Sequence, residues 1–142
     1  GGAFDVTVQP LWLLHARHAD DPPPAALAAA RALVDYRGVD VGAAGVRLAR
    51  PGMALTLNGI AQGYITDRVA EVLRDAGMPD ALVDVGELRG SGKGPGGLPW
   101  RVGLDHPAAP GPGLGIGLED AAVATSAGRG GPFTADARRH HI

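Results

Sequence analysis

Thr56-Leu57-Asn58-Gly59-Ile60-Ala61-Gln62-Gly63-Tyr64-Ile65-Thr66-Asp67 decides how this chain is read. A strand-like run over Met53 to Leu57 meets a turn broken by Gly59, and an amphipathic helix opens directly behind it. Such a junction gathers small residues and backbone N–H groups at a helix N-terminus, where the helix dipole favours negative charge. It suits the holding of an anionic group such as a diphosphate. Glycine also serves turns of this kind for geometry alone, so the flanking sequence has to be weighed.

Working outward, five further stretches stand in order. Gly2-Ala3-Phe4-Asp5-Val6-Thr7-Val8-Gln9-Pro10-Leu11 lies upstream. Leu82-Val83-Asp84-Val85-Gly86-Glu87-Leu88-Arg89 follows, with Leu98-Pro99-Trp100-Arg101-Val102-Gly103-Leu104 after it. Ala124-Thr125-Ser126 and His140-His141-Ile142 come last. Taken together, these blocks resemble the ApbE family, the FAD:protein FMN transferases, in order and spacing over nearly the whole chain. The central stretch is similar to the family's D-L-x-G-I-A-K-G-Y-x-x-D, and the upstream one to G-A-F-D-I-T-V-G-P-L. The wording of Gln9-Pro10-Leu11-Trp12 and of Leu57 to Tyr64 most resembles the NosX branch, tied to maturation of nitrous-oxide respiration.

Composition fits that reading. A chain of 142 residues is expected to form one domain, here a single partial domain over residues 1–142, burying about 70% of its unfolded surface. With 23 Gly and 12 Pro, many turns and short elements are expected. The net charge of −2 and the scattered Arg residues leave no footprint for nucleic acid. With no Cys, disulfides, thiolate metal sites and Cys nucleophiles are excluded. No 18-residue apolar run is present. The chain reads as an internal piece of a longer protein. The resemblance implies a periplasmic location, with a parent anchored at the membrane through an N-terminal signal.

Periodicity predicts an α+β fold, a mixed and largely antiparallel sheet with flanking helices. Thr7 is placed to cap a helix over Val8 to His18, and a second helix is expected over Ala25 to Val34 behind Pro22-Pro23-Pro24. Strands over Tyr36 to Val41 and Val46 to Ala49 form a hairpin. The helix over Ile60 to Ala76 has Ala61, Tyr64/Ile65, Val69, Val72/Leu73 and Ala76 spaced for a buried face, and Gly77 as its C-terminal cap. Strands follow over Leu82 to Val85, Leu88 to Gly90, Trp100 to Leu104, Leu114 to Leu118 and Ala121 to Thr125, and one more starts near Arg138. Pro107 to Gly113 reads as a loop. Gly90 to Gly97 imitates a phosphate loop, but lacks the Lys-Ser/Thr pair and a following helix, so it reads as a turn. His15 and His18 share a helical face without a third ligand, which argues against zinc.

The resemblance implies a reaction in which FAD is the substrate and magnesium sits on its diphosphate. A Ser or Thr hydroxyl of a flavin acceptor protein attacks the phosphorus on the FMN side, and AMP leaves. It assigns Ala3, Phe4 and Asp5 to FAD contact; the residues themselves also allow Phe4 a core role and Asp5 a capping role. It assigns Gly59 to the metal through its backbone carbonyl and Gln62 to FAD, where the family has Lys or Glu. Thr56 stands where the family has Asp facing the cofactor, and Glu87 departs from a pattern with a second Gly followed by Asp. His141 matches a candidate base for the attacking hydroxyl, and Thr125-Ser126 match a turn close to the flavin. The family completes its metal site with a carboxylate and a Thr that lie beyond the last block. The 142 residues alone are therefore expected to be catalytically incomplete. Two other functions compete with the enzyme: a non-catalytic FAD-binding maturation module, and a fragment without independent function.

Overall fold

Helical wording fills the first third of the chain and short apolar runs fill the last half. A computed structural model describes residues 4–18, 21–104 and 113–126. They divide into one unit built on residues up to Leu57 and a second on Asn58–Thr125.

In the first unit a short 3-10 turn, Val6–Val8, leads into helix α1 (Gln9–His18). Asp5 rather than Thr7 is the cap, because its carboxylate reaches forward two residues to the Thr7 N–H at 2.8 Å. Thr7 instead turns inward and is fully buried. Helix α2 (Pro24–Ala32) starts at a Pro, whose missing N–H has no intrahelical partner to lose, and packs on α1. It ends two residues before the expected Val34, where the Leu33 N–H closes onto the Ala30 and Arg31 carbonyls. The expected strand from Tyr36 begins later. Asp35 accepts from the Arg37 N–H and guanidinium and folds Tyr36–Gly38 into another 3-10 turn. Strands β1 (Val39–Gly42) and β2 (Gly45–Leu48) then pair antiparallel, Gly42 opposite Gly45. Gly38 makes room for the buried Met53, since a Cβ there would lie 2.9 Å from Met53 Cε.

The second unit opens with helix α3 (Ala61–Asp75). Gly77 ends it at φ +85°, as expected of a glycine in the left-handed region, with the Met78 N–H reaching back to the Leu73 carbonyl. Strands β3 (Ala81–Asp84), β4 (Leu88–Ser91), β5 (Trp100–Leu104), β6 (Leu114–Leu118) and β7 (Ala121–Val123) match the expected runs to within a few residues. They form a β3-β4-β7 sheet and a β5-β6 ladder, and every pairing among the described residues is antiparallel. Helices beside antiparallel ladders give the α+β class that periodicity predicts. At Gly90 a Cβ would come 2.8 Å from that of Leu118, so β4 needs glycine to let Leu118 and Trp100 lie close. The Trp100 indole donates to the Ser91 carbonyl at 2.9 Å and ties β5 to β4. Val83, Val102, Leu118 and Ala70 are the apolar core of this unit.

The buried face of α3 differs from the expected one. Thr66 and Ala70 are buried and Leu73 is half-buried, while Tyr64, Ile65, Val69 and Val72 are exposed. The helix meets β3 and β4 through its small residues, which allow a closer approach to the sheet than the branched ones would. The Gly90–Gly97 stretch is a turn as read. Its Gly92 and Lys93 N–H groups are taken by the carboxylates of Asp120 and Asp80 at 2.9 and 2.8 Å, and the Gly94 N–H by the Leu98 carbonyl. These donors are satisfied by the chain itself. The loop before Gly113 and the strand expected from Arg138 lie outside the described residues.

Candidate functional site

In the first unit the upstream block meets Thr56. The Thr56 N–H donates to the Val6 carbonyl at 2.9 Å, which ties this mostly buried residue to the segment that carries Phe4 and Asp5. The Phe4 ring is 61% exposed, so the core reading does not hold and the ring is available for stacking. Asp5 is committed to the chain. Its Oδ1 accepts from both the Thr7 N–H and the Thr7 hydroxyl (2.8 and 2.6 Å), and its Oδ2 accepts from the Tyr36 N–H at 3.0 Å. The Thr7 hydroxyl in turn accepts from the Asp35 N–H at 2.7 Å. Burial pushes the Asp5 pKa up, but the hydrogen bonds from Thr7 and Tyr36 outweigh it and hold the carboxyl below its ordinary value. A ligand reaching Asp5 has part of Oδ2 left to use.

In the second unit the Asn58-Gly59 turn is exposed and leads into α3 through Ile60. Ile60 occupies the capping position without a polar atom to offer the first-turn N–H groups. Gln62 is exposed in that first turn, and its side-chain amide lies over Gly86. A Cβ at Gly86 would fall 2.6 Å from Gln62 Nε2, and Gly86 also sits at φ +97°. Glycine is required there twice over. Next to it, Glu87 Oε2 accepts from the Thr125 N–H at 3.0 Å. The added bulk of Glu87 is thus directed toward the exit of β7. Asp67 pairs with Arg89 at 3.2 Å, linking the exposed side of α3 to β4.

Magnesium is not fitted by the described residues alone. Gly59 offers a single carbonyl, and no group of three His, Asp or Glu side chains among the described residues is placed to hold a metal. Ala3 and His141 lie outside the described residues. Of the remaining candidates, the first unit ties Thr56 to Val6 in the segment that carries Phe4 and Asp5, and the second lays Gln62 over Gly86, next to the Glu87 that holds Thr125. Sequence reasoning passed over Asp35 and Tyr36, whose N–H groups complete the Asp5 network. The signal was present in Asp5-Val6-Thr7 and Asp35-Tyr36-Arg37, each an Asp placed to receive the N–H two residues on.

The sequence profile of the ApbE family matches residues 1–142. The FAD:protein FMN transferase of Treponema pallidum is 33% identical, aligned with 99% of this chain and 45% of its own length. That of Klebsiella pneumoniae is also 33% identical, with the same coverage of 99% and 45%. Among solved structures, the ApbE protein of Thermotoga maritima superposes with a TM-score of 0.83 at 29% identity, over 99% of this chain and 48% of its own. The flavin transferase ApbE from Vibrio cholerae does so with a TM-score of 0.80 at 31% identity, over 98% and 46%. The chain spans less than half the length of each of these relatives. On the profile, the identities and the superpositions together, the chain belongs to the ApbE family.

Proposed function

We propose that this chain is part of an FAD:protein FMN transferase, which moves FMN from FAD to a Ser or Thr hydroxyl of a partner protein. The oxygen–phosphorus bond to the acceptor forms as the FMN–AMP phosphoanhydride bond breaks, and AMP leaves with the electron pair. Family membership supports the reaction class, and relatives along nearly the whole chain are named for it. The observation that carries the reading is the entry to α3, an exposed Asn58-Gly59 turn followed by a helix whose cap residue, Ile60, has no polar side chain. A helix start of that kind favours the negative charge of a diphosphate.

Each local group has a definable task. The N-terminal end of α3 binds and orients phosphate. Gln62 offers an amide that donates and accepts without charge, and the exposed Phe4 ring offers a face for stacking. Asp5 holds its loop rather than moving a proton, because its hydrogen-bonding capacity is largely spent on the backbone. His141 remains the proposed base for the acceptor hydroxyl. Magnesium dependence belongs to the proposal through the family resemblance. A periplasmic setting, a membrane-anchored parent and a respiratory partner of the nitrous-oxide type belong to the same proposal.

The test is a transfer assay with FAD and a candidate acceptor protein, run on the 142 residues and on a chain extended past Ile142. Covalent flavin fluorescence on the acceptor, with AMP released in equal amount, is expected from the extended chain. Bound FAD with no transfer from the extended chain would instead favour the non-catalytic flavin-binding module. The replacements at Thr56, Gln62 and Glu87 are the observation behind that second reading.

A further inference from the structure

We propose that Glu87 is a positioning residue, a clamp that fixes the exit of β7 against the turn on which Gln62 rests. The proposal rests on the flavin-transferase reading in one respect, that the Gln62 end of α3 receives FAD.

Glu87 is bonded at both its ends. Its carboxylate reaches 38 residues along the chain to accept from the Thr125 N–H at 3.0 Å. Its carbonyl accepts from the Val85 N–H at 3.3 Å and lies 3.4 Å from the hydroxyl of Thr66, which is buried on α3. One residue before it, Gly86 is fixed in the left-handed region, and its N–H is held by the Asp84 carboxylate at 3.2 Å. The Gln62 amide fills the space beside Gly86. Helix α3 and the β3–β4 turn therefore meet at the Glu87 carbonyl, and the Glu87 side chain alone ties the exit of β7 to that point.

That arrangement decides between two uses of an acidic group here. A carboxylate that served ligand by charge would lose its use when neutralised and keep it when shortened. A carboxylate that serves as a tether needs reach and an acceptor oxygen, and charge only strengthens the bond. Because Oε2 is already engaged by a main-chain donor, the second use is the one the geometry supports.

Glu87→Gln keeps the length and an acceptor oxygen, whereas Glu87→Asp keeps the charge and falls short by one methylene. The half-buried position tolerates both, and Glu87→Ala gives the full loss. Amide hydrogen exchange at Thr125, read by NMR, and FAD titration are followed in each variant. Exchange at Thr125 is expected to rise about 5- to 10-fold in the Asp and Ala variants and to stay within about 2-fold in the Gln variant. The dissociation constant for FAD is expected to follow the same order. Unchanged exchange in the Ala variant would overturn the clamp. So would the reverse order, with Asp like the wild type and Gln like Ala, since that is the signature of charge. If the unaltered chain binds no FAD, the transferase reading fails by itself, and the exchange order at Thr125 still decides the clamp.

Discussion

Thr7 in the first unit and Thr66 in the second are both closed off from solvent, at 0% and 2% exposure, yet their hydroxyls do different work. Thr7 joins two distant segments, donating to Asp5 and accepting from the N–H of Asp35. Thr66 donates within its own helix to the Gln62 carbonyl at 2.8 Å. The contrast follows from where each unit finds partners for its backbone. The loops around Asp5 and Tyr36 have no ladder, so side chains must satisfy their N–H groups. In the second unit α3 and the antiparallel pairings satisfy the backbone of helix and strands, and carboxylates serve the turns between them, as Asp84 does at Gly86 and Glu87 at Thr125.

The largest effect should come from the first of these threonines. Thr7→Val keeps the shape and removes both bonds, leaving the Asp35 N–H without its acceptor, and is expected to cost about 2–3 kcal/mol. Thr66→Val removes a bond to a carbonyl that the helix already uses, and should cost less than about 1 kcal/mol. Urea unfolding of the two variants measures the difference. Equal losses would break the comparison.

Gly86→Ala ranks next, at about 1–2 kcal/mol, because a Cβ must be held at positive φ and the Gln62 amide must move aside. Unlike Thr7→Val, it should also weaken FAD binding, because it disturbs the seat of Gln62. Thermal unfolding with and without FAD separates the two losses.

What the sequence could and could not show follows the same division. Strands β3 to β7 and helix α3 were legible because apolar runs bounded by Gly and Pro report local conformation directly. The capping at Asp5, the 3-10 turn at Tyr36–Gly38 and the Glu87–Thr125 bond were not, because each depends on a partner chosen by tertiary structure or on two competing polar residues. The exposed stripe of Tyr64, Ile65, Val69 and Val72 shows the same limit. Periodicity predicts a single apolar face on α3, and the sheet instead takes the strip of smaller side chains at Thr66 and Ala70. The strand-to-helix junction around Thr56 to Asp67 was legible because a turn glycine followed by helical spacing is a local signal.

Acid should act on the first unit before any ligand question arises. Asp5 is held below its ordinary value of 3.8 in the folded chain and returns to it on unfolding. The unfolded state therefore binds the proton more readily, and the stability Asp5 contributes is complete above about pH 4. It is lost as pH falls through the folded-state value. Unfolding midpoints measured from pH 6 downward should drop below about pH 4, and Thr7→Val should flatten part of that drop by removing the hydroxyl bond, one of the three bonds that lower the pKa. A drop of the same size in both proteins would place the acid sensitivity elsewhere.

The smallest effect expected is the one that probes the open end of α3. Gln62 is neutral where the family resemblance has Lys or Glu, and it lies in the first helical turn. Gln62→Lys adds a positive charge close to the place proposed for the diphosphate, which at partial exposure should tighten FAD binding by about 2- to 5-fold at low salt. Raising ionic strength should erase most of that gain, because an exposed charge is screened over about 8–10 Å. Gln62→Ala should lose a similar factor independent of salt, since only a neutral hydrogen bond is removed. If the Lys variant binds FAD no better than the Ala variant at low salt, the diphosphate does not sit at this end of the helix. The open N-terminus would then have to be explained as geometry alone.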